Sequence, residues 1–208
     1  MSGSLFEIIR RIVREEVQAS RRTALAIVEQ SHPHTDDGDS DNYACTVRLR
    51  DSDVTIKHVP VATPRLGLVS VPAPGDLVIV EFIGGDGHAP VIIGTLYNDE
   101  DRPPVSTEGQ AVLHLPNSAG DNDSVHLSIT SGSSRELSLA LGTGLTMHLR
   151  DDDPAVELEV DGGRATIRIA RDGAMKIESA GSLSIKAQEI TMEASGAMKL
   201  KGATVDIN

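Results

Sequence analysis

The chain has 208 residues, 39% of them hydrophobic but only 2% aromatic, and a formal net charge of −12. That length allows one domain or two small ones, and the shortage of aromatic rings argues against one large core, because aromatics carry the largest buried areas. The acidic balance opposes general nucleic-acid binding, which needs a basic footprint, and the single cysteine, Cys45, excludes an intrachain disulfide or a cysteine-based metal centre.

Residues 1–22 come first. Leu5, Ile8, Ile9, Ile12 and Val13 recur at helical spacing between Arg and Glu, with Ser4 placed as an N-cap and Glu7 three residues on. A short N-terminal helix is expected, which could fold back on the next domain, dock on a partner or associate with copies of itself. Arg10, Arg11 and Arg14 interrupt what would be the apolar stretch of a signal peptide. No run approaches the roughly 20 apolar residues of a membrane span, so a soluble product made in the cytoplasm is expected.

Residues 23–104 read as short strands: TALAIVEQ (23–30), YACTVRLR (43–50), VTIKHVPV (54–61), LGLVSV (66–71), DLVIVEFI (76–83) and APVIIGTLYN (89–98). Gly, Pro, Asp and Ser clusters separate them, with no helical pattern between. This predicts a small barrel or sandwich, and an OB-type barrel is about that size. Cys45 reads as a small buried strand residue.

Residues 105–208 carry a repeat of apolar pairs spaced one residue apart. The pairs are Leu113 and Leu115, Leu127 and Ile129, Leu137 and Leu139, Met147 and Leu149, and Val156 and Leu158. They continue as Ile167 and Ile169, Met175 and Ile177, Leu183 and Ile185, Ile190 and Met192, Met198 and Leu200, and Val205 and Ile207. From Ile167 each pair begins seven or eight residues after the last. A fixed short period is a solenoid or β-helix signature. Alternation puts both members of a pair on one face, yet two inward residues per strand are few for a sandwich or single-chain barrel, and one chain would leave strand edges unpaired. Several copies closed around one axis remove the edges and surround each pair. Three is the natural count for a narrow prism, each chain supplying one wall per level. The twelve paired residues from Ile167 to Ile207 are the expected trimer core. A single-chain β-helix or a meander sheet stays open on the pattern alone.

The stretch VPAPGDLVIVEFIGGDGHAPVIIGTLYNDEDRPP (71–104) resembles the OB segment of contractile-injection spikes. These are the phage baseplate assembly protein V family and the related type VI secretion valine-glycine repeat proteins. The matching residues are Pro74, Gly75 and Asp76 before an apolar strand, Glu81 and Phe82, Gly85 and Asp86, then Pro90, Val91, Ile92, Ile93 and Gly94. Leu96, Tyr97 and Asn98 follow, with a Pro103-Pro104 exit. The resemblance implies a mainly β protein: an N-terminal helix (1–22), an OB-fold domain (23–104) and a triple-stranded intertwined β-helix needle (105–208) built by a homotrimer. It implies a central spike in a contractile tail baseplate of the virion, which pierces the host outer membrane in transient contact when the sheath contracts. A related bacteriocin, extracellular or type VI-like particle is the alternative. The N-terminal and OB end would face a baseplate hub. Some members carry a lysozyme domain, but here the segment after Asn98 passes directly into the repeats, so no such hydrolase is expected. Other spikes end in a His-x-His iron tip. Here His114, His126 and His148 are isolated and no His follows them, so neither metal nor other cofactor is expected. A separate tip protein of the proline-alanine-alanine-arginine repeat type would instead cap Val205, Ile207 and Asn208.

Other motifs read as structural. His32-Pro33-His34 has ligand types at a metal-like spacing but no third ligand nearby in sequence. Asp37, Asp39 and Asp41 start like a calcium loop, but Asn42 and Arg48 stand where Gly and Glu are needed. Gly84–His88 lacks the Lys-Ser/Thr of a phosphate loop, and Asp151–Asp153 before Pro154 is a charged outer corner. No catalytic set emerges, and the expectation is not an enzyme. Two other classes compete: an OB nucleic-acid module, for which Tyr43, Phe82 and Tyr97 would be the stacking residues, and a carbohydrate-active β-helix, for which a carboxylate cluster is missing.

Overall fold

A computed structural model describes residues 7, 9, 10, 23–142 and 144–206. The expected N-terminal helix lies almost wholly outside the described residues; Glu7, Ile9 and Arg10 have helical backbone but define no element. The chain divides into two units, Met1–Pro103 and Pro104–Asn208. It is mainly β, with one sheet in each unit.

The first unit holds β1 (Thr23–His32), β2 (Ala44–Leu49), β3 (Thr55–Pro60), β4 (Leu77–Phe82) and β5 (Pro90–Leu96). Their order in the sheet is β3-β2-β1-β4-β5, every pair antiparallel. A parallel bridge from Val61 to Ile92 joins the two edges, reinforced by the Ala62 amide donating to the Ile92 carbonyl at 2.8 Å. The sheet therefore closes on itself as an OB-type barrel does. Alternating inward positions make the core: Ala26 and Val28, Cys45, Val47 and Leu49, Val78, Val80 and Phe82, with Val59 and Ile92. These are β-branched or small side chains, which suits a narrow barrel poor in aromatics. Cys45 is buried among them, and burial pushes its thiol pKa up.

LGLVSV (66–71) does not form a strand. It runs as a loop in which Leu66 is 91% exposed and Gly67 has φ +94°. Alternation alone cannot supply a pairing partner, and here no sheet edge takes it. Tyr43 holds the loop instead: its hydroxyl donates to the Ser70 carbonyl at 2.7 Å and accepts from the Ser70 amide at 3.2 Å.

The second unit is a meander. The strands β6 (Gln110–Leu115), β7 (Val125–Thr130), β8 (Glu136–Leu141), β9 (Leu145–Arg150), β10 (Val156–Val160), β11 (Ala165–Ile169) and β12 (Met175–Ser179) each pair with the next in sequence. No described residue from Gly181 to Asp206 lies in a strand, and none of 182–206 has a hydrogen bond within the chain.

Candidate functional site

The register of the meander turns the apolar pairs into continuous rows. Leu113 faces Leu127, which faces Leu139, then Met147, Leu158, Ile167 and Ile177. Beside it runs a second row: Ala111, Ile129, Leu137, Leu149, Val156, Ile169 and Met175. Both rows cross all seven strands without a polar residue. Directly opposed apolar side chains are the unit of sheet stabilisation, so the rows fix the register as well as the face.

Among the described residues, none buries this face. Every buried apolar residue among those described belongs to the first unit. In the second, Leu113, Ile129, Leu149, Ile167, Met175 and Ile177 are all exposed. A contiguous apolar face of this extent marks an interaction surface rather than ordinary solvent-facing area. The pairs continue beyond the sheet: Leu183, Ile185, Ile190, Met192, Met198, Leu200 and Val205 are each at least half exposed, with no strand to hold them. Ile207 and Asn208 lie outside the described residues.

The opposite face is polar and cross-linked. Glu157 accepts from Arg150 at 2.9 Å and from Arg168 at 2.7 Å, and Glu136 accepts from Arg150 at 3.0 Å and pairs with His148 at 2.7 Å. The two arginines hold the Glu157 carboxyl below the usual glutamate range. At Glu136 burial pulls upward, and the bonds from His148 and Arg150 outweigh it. A carboxyl depressed in the folded state contributes stability that is complete above its unfolded value, near 4.5, and is lost as pH falls through its folded value. Melting below pH 4.5 should thus fall more steeply for the wild type than for Glu157→Gln. At pH 7 that substitution should cost about 1–2 kcal/mol per chain, since the pairs are only partly buried. Thermal midpoints at the two pH values check both statements.

The corner between β9 and β10 is stapled rather than loose. Asp151 accepts from the Arg135 amide and guanidinium, both at 2.8 Å, and Asp153 accepts from the Arg171 amide at 3.0 Å. His114 and His126, isolated in sequence, meet across β6 and β7 with ring centroids 5.6 Å apart.

In the first unit the motif residues build turns. Gly75, at φ +99°, donates its amide to the Val28 carbonyl at 2.9 Å, and the Asp76 carboxylate accepts from the Ala73 amide at 2.8 Å. The turn thereby docks β1 against β4, and a side chain at Gly75 would strain it. Gly84 and Gly85 also have positive φ, and the Asp86 carboxylate accepts from the His88 amide at 2.8 Å, closing the β4–β5 turn before Pro90. Gly94 lies opposite Ile79, beside the register shift in the β4–β5 pair. Glu81 accepts from the Thr23 hydroxyl at 2.6 Å, Phe82 is core, and Asn98 caps the exit by accepting from the Glu100 and Asp101 amides at 2.7 and 2.8 Å. Tyr97 is exposed. These residues shape the turns and core of the barrel.

Residues 33–97, within this barrel, match the family described as the type VI secretion system/phage-baseplate injector OB domain. Over those residues the chain is similar to an injector OB domain. No curated protein matches the chain. An injector OB domain on a mainly β chain supports a baseplate-type structural role in a virion tail or type VI-type injector. No helix among the described residues is long and apolar enough to cross a membrane.

Proposed function

We propose that three copies of this chain assemble into the central spike of a contractile injection baseplate. The observation that carries the reading is the pair of apolar rows across β6–β12, which no described residue of the same chain covers. Further copies of the sheet cover it best, because each brings the same rows in the same register.

Dimensions support a small number of walls. Strands of five or six residues span about 17–20 Å at roughly 3.3 Å per residue. Three walls of that width put each backbone about 5–6 Å from a common axis. Packed sheets lie about 10 Å apart, or about 5 Å from their midplane, so Leu, Ile and Met side chains would fill the prism. Four walls would leave a central void. Two walls would also pack, but would leave both sides of the sandwich open; the injector family resemblance favours three.

The repeats from Leu183 to Val205 then find their partners between chains, as an intertwined β-helix continuing the prism. The spike acts by stiffness: ladders of backbone hydrogen bonds resist bending, the charged face turns outward, and the needle crosses the host envelope on sheath contraction. It carries out no reaction. A hub at the OB end and a tip cap beyond Val205 are the partners of the same proposal, and the particle is a phage tail or a related bacteriocin or injection system.

Hydrogen exchange tests the intertwined segment. Amides of 183–205 should be protected for hours in the assembly, although the chain alone gives them no acceptor. Exchange at unstructured rates across that segment would refute the needle.

A further inference from the structure

We propose that His32, Asp41 and His58 form a binding site for a divalent transition cation of the zinc class on the OB unit. One ring nitrogen from each histidine and one Asp41 carboxylate oxygen lie within 4.8 Å of one another. The two imidazoles stack with centroids 4.2 Å apart and planes 25° from parallel, and His58 Nδ1 is 3.8 Å from Asp41 Oδ1. Two imidazoles and one carboxylate are a borderline donor set, suited to zinc and its neighbours rather than to calcium or magnesium, which take oxygen ligands. Three protein ligands leave a fourth position for water.

The backbone aims these residues in a way local spacing does not reveal. In the β2–β3 pair, Val47 faces Ile56 and Cys45 faces Val59, so Lys57 and His58 together oppose Thr46. That is a β-bulge, a device that redirects a side chain and recurs beside functional sites. His58 holds φ +51° there, a left-handed conformation that favours glycine. A strained histidine at the bulge faces His32, which comes from β1 on the other side of β2. Thr46, opposite the bulge, touches His32: its hydroxyl lies 2.9 Å from Nε2. Such a contact orients a ligating imidazole and sets its tautomer, as outer partners of metal-bound histidines do. Asp41 is placed by the 33–41 loop, where its carbonyl accepts from His34 Nδ1 at 3.2 Å and its amide donates to Asp39 at 3.1 Å. The site is graded from inside to outside: His32 is 9% exposed, and the side chains of Asp41 and His58 are 39% and 61% exposed. A cation can enter from solvent and pin the bulge to β1 and the loop.

His34 stands outside the cluster. Its Nδ1 pairs with Asp39 at 2.8 Å, and that hydrogen bond raises the His34 pKa. Asp39 also accepts from the Thr35 and Asp36 amides, which hold its carboxyl far below the usual range. Asp39 is thus a turn staple, and the ligand partner of His32 is His58, not His34.

The test uses the full chain, stripped with chelator and titrated calorimetrically with zinc chloride. The wild type should bind one zinc per chain saturably and melt at higher temperature with zinc, and cobalt substitution should give visible ligand-field bands. His58→Gly removes a ligand while suiting the positive φ, so it should fold as well as the wild type and bind no zinc at this site. Asp41→Asn and Thr46→Val should each weaken binding about tenfold or more. Magnesium should produce no heat. Absence of saturable zinc binding by the wild type would overturn the proposal, and so would equal affinity in folded His58→Gly. The outcome is independent of the chain's assembly, so failure here leaves the spike reading intact.

Discussion

Ile177→Asp should convert the assembly to separate chains at micromolar concentration. Ile177 closes one apolar row on β12 and is 52% exposed in the single chain. If the sheet worked alone, a polar residue there would change stability by less than about 0.5 kcal/mol. In the closed prism three carboxylates would meet near one axis, each losing hydration without a partner, at a cost of several kcal/mol apiece. Sedimentation velocity at matched concentrations reads the difference. Retention of the wild-type sedimentation coefficient would mean that this face is not the contact. Ile167→Asp, one strand inward on the same row, should behave the same way, whereas Lys176→Asp on the opposite face should leave assembly unchanged.

The second large effect belongs to the barrel. Phe82→Ala should lower the stability of the OB unit by about 3–5 kcal/mol, the usual cost of emptying a buried aromatic site. Phe82 is 4% exposed and packs among Val80, Val78 and Ile92, with few other large side chains able to fill the space. Guanidinium unfolding followed by a barrel-specific probe should show the loss, independent of protein concentration. A loss under about 1 kcal/mol would mean that the barrel core is centred elsewhere. Unfolding of the second unit should instead depend on concentration, because in the proposed trimer its core is shared between chains.

The two units differ in how much of them the sequence discloses. In the meander, strict alternation of pairs such as Leu137-Ser138-Leu139 and Ile167-Arg168-Ile169 identifies both strand and face, since a one-residue slip would turn every pair outward. Five of the six expected barrel strands form for the same reason. LGLVSV fails because alternation states which residues could share a face, not whether a sheet edge is free to take them. The repeats after Ser179 alternate just as well, yet find no strand partner among the described residues of their own chain. Local pattern and long-range pairing are separate pieces of information, and only the first is written locally.

The histidine cluster shows the same limit more sharply. His32 and His34 look like partners because they are two residues apart. Strand geometry sends such neighbours to the same face only while both remain in the strand, and β1 ends at His32. His58 is far off in sequence and reaches His32 only through a bulge, which no composition or periodicity reveals. The motif from Pro74 to Asn98 is legible because its glycines and aspartates make turns whose chemistry is local: positive φ at Gly75 and side-chain-to-amide bonds at Asp76, Asp86 and Asn98.

In the proposed trimer, one chain owns only part of the core that its C-terminal half requires. Sedimentation equilibrium of the full chain at micromolar concentration, repeated at several loading concentrations, measures this directly. The trimer should appear as a single species of three times the 22.0 kDa chain mass that does not dissociate on dilution. A species of one chain mass, soluble and folded with its apolar rows open to water, would contradict it; a mass of two chains would replace the prism with a sandwich.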